Sequence, residues 1–348
     1  MKRWLVLLLA MALLLGLTAC GGDTPEGSAP ATTKKTTATT TAATTTTAEG
    51  GAADNTTTTT EVTTTTTTVH TKNVVGGITA PPTTTTTTKD KSAGKAIKIL
   101  SVGNSFSVDA MRKHLFPVLE SAGYTDITLG ILYIGGCALD THYDNLKNNN
   151  AAYEYYHVTD GEWSTYAGAT TAKGFQSAKW DVVTIQQVSS DSGRPDTYKN
   201  LAAIVNLLKE KEPQAKILWH MTWAYQQDST HWAFAYYNKD QMTMYNAITK
   251  TVQEQVLPLK TINGVIPAGT AIQNLRTSTL GDTLTSDGHH LKDSYGDYTA
   301  ALTWFCTITG ESPDAVTYRP ATIADHWDDI AAAVKNAVAT PYAVTPLN

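Results

Sequence analysis

The sequence predicts an α/β domain: a three-layer α/β/α sandwich around a parallel five-stranded sheet. Two observations predict it. Five short apolar runs recur along residues 95–348, and helical patterns of apolar residues occupy the intervals around them. Ile97–Gly103 is the first run; a helical pattern through Met111, Leu115, Val118 and Leu119 follows its terminal glycine, which reads as strand, tight turn, helix. Pro117 inside that pattern predicts a kink. Ile127–Ile134 is the second run. The insert Tyr153–Tyr166, with Asp160-Gly161 between two strand-like pieces, predicts a hairpin added at the rim of the sheet. Val182–Ile185, Ile217–Met221 and Gly264–Pro267 complete the five runs, with helical stretches at Tyr198–Lys211 and Gln241–Val256 between them and two more at Ser294–Ile308 and Ile323–Val338. Strands alternating with helices imply right-handed crossovers and helices on both faces. In such sheets ligands sit beyond the carboxyl ends of the strands, so the residues following each run are the ones to inspect.

The N-terminal third has a different composition. Lys2-Arg3 precede an apolar run from Trp4 to Leu17, which ends at Thr18-Ala19-Cys20-Gly21-Gly22. This is the pattern of an export signal, and it falls short of the roughly 20 apolar residues of a spanning helix. Leu17-Thr18-Ala19-Cys20 resembles the bacterial lipobox. That resemblance implies a diacylated Cys20 and anchorage on the outer face of the bacterial membrane, with plain secretion as the alternative. Residues 21–94 are mostly Thr, in runs such as Thr56–Thr60, Thr63–Thr68 and Thr83–Thr88. A segment with so few large apolar side chains cannot offset the entropy of ordering, so a disordered or glycosylated stalk is expected there. The expected organisation is therefore signal segment 1–20, stalk 21–94 and globular domain 95–348. With 26 Lys and Arg against 31 Asp and Glu, a net charge of −5 and no basic stripe, nucleic acid is not an expected partner. Cys137 and Cys306 remain as a pair whose bonding the sequence leaves open.

Two loops carry the chemistry. Val102-Gly103-Asn104-Ser105-Phe106 puts a serine at a strand-to-helix turn, and Asp287-Gly288-His289-His290 puts a carboxylate and an imidazole three residues apart just before a late helix. A hydroxyl needs a base to become a nucleophile, and a base needs a carboxylate to fix its tautomer. Alone, the serine reads as a helix cap and the Asp-His pair as a surface loop. Metal ligation by His220, His289, His290 and Asp293 has no recognised spacing behind it, and neither a metal nor any other cofactor is expected. Glycine is absent from the position two residues after Ser105, which argues against a G-x-S-x-G nucleophile elbow.

The order of Gly103-Asn104-Ser105 after the first strand and Asp287-x-x-His290 before the last helices resembles the SGNH (GDSL-like) hydrolases. It resembles more closely a Gln-containing bacterial branch known only as a domain of unknown function (DUF4886-like). The resemblance implies a flavodoxin-like sandwich and a serine esterase, with Ser105, His290 and Asp287 as its triad. It also implies an oxyanion hole from the Ser105 and Gly136 N–H groups and a third donor. Asn104 departs from the usual G-D-S. The third block, Ile185-Gln186-Gln187-Val188-Ser189-Ser190, lacks the family's asparagine; Ser190 falls at that position, and Gln186, with Gln187 as alternative, is expected to supply the donor. Trp223, at the end of the fourth strand, is the expected substrate-binding aromatic, with Trp163, Trp232 and Tyr236 in reserve. An acylated, most simply O-acetylated, carbohydrate is the expected substrate. A lipid-anchored carbohydrate-binding protein, or an SGNH domain that has lost catalysis, is the competing reading.

Overall fold

A computed structural model describes residues 94–347, so the expected signal segment, Cys20 and nearly all of the Thr-rich stretch lie outside the described residues. Among the described residues no helix is long and apolar enough to cross a membrane.

The elements in chain order are β1 (Lys95–Gly103), α1 (Ser105–Met111), α2 (Leu115–Ser121), β2 (Tyr124–Tyr133), α3 (Leu139–Asn148), β3 (Tyr153–Val158), β4 (Ser164–Ala169), α4 (Thr171–Phe175), β5 (Val182–Ile185), α5 (Leu201–Lys211), β6 (Lys216–His220), α6 (Gln241–Thr251), β7 (Gly264–Ile266), α7 (Ala268–Leu275), α8 (Tyr295–Thr309) and α9 (Trp327–Ala339). The sheet runs β4-β3-β2-β1-β5-β6-β7, seven strands where five were expected. The five expected strands are all present and parallel; β3 and β4 are the rim hairpin, β3 antiparallel to β2 and β4 antiparallel to β3. β1 lies at the centre, with Ile99 opposite Leu129 on one side and Val182 on the other. Covered on both faces, it is buried from Ile99 to Gly103, which is why it reads as a continuous apolar run instead of alternating. β4 is the exposed edge, open to solvent from Thr165 to Gly168.

α1, α2, α7, α8 and α9 pack among themselves in one layer, while α3 packs on α5. The chain leaves β1 toward β2 and later returns to the other side of β1 to form β5. The crossovers therefore reverse direction between β1 and β5, and this reversal opens a crevice at the carboxyl ends of those two strands.

Pro117 does not kink a helix. The chain instead ends α1 at Met111 and restarts at Leu115, which puts Pro117 in the first turn of α2, where an absent N–H breaks no intrahelical bond. The stretch Gln241–Val256 is helical throughout, finishing in a π-turn over Val252–Val256.

Candidate active site

The Gly103–Ser105 turn is built by backbone economy. A Cβ at Gly103 would lie 2.1 Å from Ser107 Oγ, so glycine lets α1 begin one residue after the strand ends. Asn104 stays extended and caps the helix, its Oδ1 accepting from the Phe106 N–H at 3.1 Å. Ser105 is thereby the first helical residue, at the mouth of the crevice. Its own N–H is one of the first-turn amides that have no intrahelical acceptor.

The second loop is braced in itself. Thr285 bridges Leu291, Ser286 N–H donates to His290 O at 2.8 Å, and Lys292 N–H donates to Leu284 O at 2.8 Å. Gly288 sits at φ +88° with Ser229 against it, a place for glycine on both counts. Asp287 Oδ1 accepts from the N–H groups of His289 (3.0 Å) and His290 (2.8 Å), so the carboxylate is locked to its own loop. Its other oxygen, Oδ2, lies 2.7 Å from His290 Nδ1. Burial works to raise the Asp287 pKa, but the hydrogen bonds from the His290 ring and the two backbone N–H groups prevail and hold it at about 2. An ionised carboxylate only accepts, so Nδ1 carries the proton and Nε2 is left as an acceptor. Ser105 Oγ donates to that Nε2 at 2.9 Å. The three residues singled out in the sequence thus form one continuous hydrogen-bonded chain.

A cavity of about 270 Å³ opens over this chain, lined by Ser105, Gly136, Ser190, His231, Trp232 and His290 among others. Gly136, in the turn after β2 at φ +61°, is at the cavity as expected.

The glutamines are not. Residues alternate faces as a strand ends, so Gln186 and Gln187 turn to opposite sides of the sheet and neither meets the cavity. Gln186 is fully buried: its Oε1 accepts from Ser107 Oγ (2.5 Å) and His220 Nδ1 (2.8 Å), and its Nε2 donates to Asn104 Oδ1 (2.6 Å). Gln187 Oε1 accepts from the Leu139 and Val188 N–H groups, and its Nε2 donates to Thr197. Of that segment, Val188, Ser189 and Ser190, the last at the third-block position, line the cavity. Trp223 is likewise no substrate contact. It is completely buried, stacked on Phe106 at 4.2 Å, and its Nε1 donates to His289 O at 2.7 Å, so it underpins the Asp287–His290 loop. The exposed aromatic at the cavity is Trp232, 69% accessible, with Tyr236 edge-on beside it. Trp232 belongs to a short 3₁₀ turn that no apolar periodicity announces.

Two carboxyls missed in the sequence lie close to the Ser105–His290–Asp287 chain. Asp109, one turn along α1 from Ser105, accepts the Leu291 N–H at 3.0 Å. Burial, opposed by that bond and by His290, raises its pKa to about 6. Asp297, at the start of α8, is raised to about 8 by burial and by Asp109, and its Oδ1 has no hydrogen-bond partner among the described residues. A second tie between the two loops is the ion pair of Lys113 with Asp293. Asp287, His289 and His290 each bring one ligand atom within 4.8 Å of the others, close enough for a cation. Two of these three residues are already engaged in the chain to Ser105, and a cation there would break it. Cys137 and Cys306 are both free thiols, buried, with pKa values pushed up to about 12 by burial.

Fold and site together define an α/β sandwich with a Ser–His–Asp chain at the carboxyl edge of a parallel sheet. Residues 98–339 match the model of a domain of unknown function, DUF4886. The chain belongs to that family. A crystal structure of a DUF4886 family protein from Bacteroides uniformis is 38% identical, with a TM-score of 0.70 over 73% of this chain and 98% of that one. More distant likenesses include a candidate SGNH hydrolase from Slackia heliotrinireducens (21% identity, TM-score 0.40, 60% of this chain and 97% of that one). A family 3 carbohydrate esterase from Clostridium thermocellum is similar at 15% identity and TM-score 0.37, over 61% of this chain and 94% of that one. No curated protein matches the chain.

Proposed function

We propose that the protein is a serine esterase that removes O-acyl groups, acetyl foremost, from carbohydrate. The observation that carries the proposal is the hydrogen-bonded chain Ser105 Oγ–His290 Nε2–His290 Nδ1–Asp287 Oδ2, at 2.9 and 2.7 Å, opening on a cavity. In this reading Ser105 Oγ attacks the ester carbonyl as His290 Nε2 takes its proton. The imidazolium, steadied by Asp287, returns that proton to the departing sugar alkoxide. Water then repeats the sequence on the acyl-enzyme, releasing the acid and restoring Ser105. The Ser105 and Gly136 N–H groups stabilise the oxyanion. The Ser190 hydroxyl takes the role of third donor in place of the glutamines. Trp232 offers the exposed flat face on which a pyranose ring would stack. The same reading has Cys20 as the lipid anchor, with the Thr-rich stretch as a tether that keeps the domain at the outer face of the membrane while it searches polymer.

The test is acetate release from p-nitrophenyl acetate and acetylated xylan by residues 95–348, beside Ser105→Ala of equal foldedness. Activity that falls by several orders of magnitude in the variant supports the esterase. Equal activity in both refutes the mechanism. Ring binding without turnover in both favours the carbohydrate-binding reading.

A further inference from the structure

Beneath the nucleophile turn lies a buried, uncharged hydrogen-bond chain that the proposed mechanism does not use. Ser101 Oγ donates to Ser107 Oγ (2.8 Å), and Ser107 Oγ to Gln186 Oε1 (2.5 Å), which also receives His220 Nδ1–H (2.8 Å). His220 is neutral, burial lowering its pKa to about 3, and its ring lies edge-on to Trp304. The Phe106 N–H already donates to Asn104 Oδ1, and this backbone donor fixes which end of the Gln186 amide is which. Its Nε2 therefore points at Asn104 Oδ1, 2.6 Å away. Asn104 Oδ1 then holds two donors, this one and the Phe106 N–H, so its Nδ2 is the end that faces the Cys137 carbonyl at 3.2 Å. Cys137 follows Gly136 directly and closes their turn by donating its N–H to Ile134 O at 3.2 Å.

Each link dictates the polarity of the next. An aspartate at position 104 would set a carboxylate oxygen against the Cys137 carbonyl, acceptor against acceptor, in a site where residue 104 is 1% exposed. Asn at position 104 is thus a requirement of the Cys137 carbonyl, while Gln186 holds the other end of the same amide.

We infer that Asn104 and Gln186 are a coupled pair of positioning residues: Gln186 orients the Asn104 amide, which ties the Gly136–Cys137 turn to the nucleophile turn and so keeps the two backbone oxyanion donors in register. The inference rests on the esterase reading for its kinetic consequence and on the hydrogen bonds alone for its structural one.

The experiment compares wild type, Asn104→Asp, Asn104→Ser, Gln186→Met and the double variant Asn104→Ser/Gln186→Met. Ser at 104 retains a capping oxygen and loses the tie, which protects the test against a variant that does not fold. Losing an oxyanion donor costs about 10²–10³ in rate. Misplacing one is expected to lower kcat by about 10²-fold in each single variant, with KM held within about threefold. A boronic acid that mimics the tetrahedral intermediate should weaken by a similar factor. The double variant should be no worse than Asn104→Ser by more than about threefold, because the two side chains act through one link. Full activity in Asn104→Asp, or a double-variant loss equal to the product of the single losses, overturns the pairing. Amide hydrogen exchange over residues 134–138 gives a readout independent of turnover. It should quicken in Asn104→Ser and Gln186→Met even if no ester is hydrolysed, and unchanged exchange overturns the inference whatever becomes of the esterase reading.

Discussion

Asp109 joins the two halves of the proposed catalytic machinery, and removing it should slow the proposed reaction without touching Ser105, His290 or Asp287. It stands four residues beyond Ser105 on α1, hence on the same helix face, and holds the N–H of Leu291, the neighbour of His290, at 3.0 Å. A hydrogen bond to a charged acceptor contributes about 1.5–3 kcal/mol. If that bond is what keeps His290 Nε2 on Ser105 in the transition state, its full loss corresponds to about 10–150-fold in kcat, at roughly 1.36 kcal/mol per factor of ten. Asp109→Ala should therefore fall into that range. Asp109→Asn keeps an acceptor oxygen and should stay within about fivefold of wild type at alkaline pH. The pH profile separates charge from contact. The Asp109 carboxyl, raised from 3.8 to about 6, is ionised above that pH and becomes a weaker acceptor as pH falls through it. Wild type should lose this contact as pH falls through about 6, which steepens the acid limb of kcat/KM; Asp109→Asn has no such ionisation, and its limb should be shallower. The assay is ester hydrolysis by pH-stat from about pH 4.5 to 8, with melting temperatures measured in parallel. Asp109→Ala within twofold of wild type at the upper end, or acid limbs of equal steepness, would refute the reasoning.

Trp232→Ala should raise KM for acetylated xylo-oligosaccharides about tenfold, the order of a lost stacking face, and leave p-nitrophenyl acetate kinetics unchanged; a parallel loss on both esters would deny Trp232 a specificity role. Trp223→Ala should instead destabilise the domain by about 3–5 kcal/mol in urea unfolding and lower kcat through the loosened His289 carbonyl, whereas a rise in KM at unchanged stability would restore it as a substrate contact. Asp297 contributes through its proton. With a folded pKa raised to about 8 from 3.8, the native state holds a proton that the unfolded chain has released between those values, so stability falls as pH rises through that window. Asp297→Asn should raise the melting temperature more at pH 9 than at pH 5, by about 1–3 kcal/mol of stability at the upper end; an equal gain at both pH values would deny that the carboxyl charge is what costs stability.

What was legible in the sequence follows from burial. β1, β2 and β5 are covered on both faces, so their apolar runs stand out. The rim hairpin was legible through Asp160-Gly161. α7 escaped notice because all eight of its residues are buried, leaving no polar face to give a helical period. α3 escaped because its buried side includes His142 and Asn145, which do not read as core. The sequence pattern also merged α1 and α2, since Met111, Leu115 and Val118 keep a helical spacing across the break.

The site divides along a similar line. That Ser105, Asp287 and His290 come together was legible because their relation is carried by the chain itself: the serine follows a strand, and Asp287 reaches His290 within one loop. The glutamines and Trp223 were misassigned because their roles depend on which way a strand end turns, and composition does not encode that direction. Gln186 has suitable chemistry for an oxyanion donor, yet all three of its polar contacts are inside the protein. Its partners Ser107 and His220 are the residues that could have signalled this. Each lies where its strand or helix faces the same buried layer, and four polar side chains gathered there must satisfy one another before any of them can serve a substrate. A polar residue at a strand end is therefore a candidate for the site only after the buried donors and acceptors around it have been paired, and Gln186, fully buried among them, has no part in the cavity.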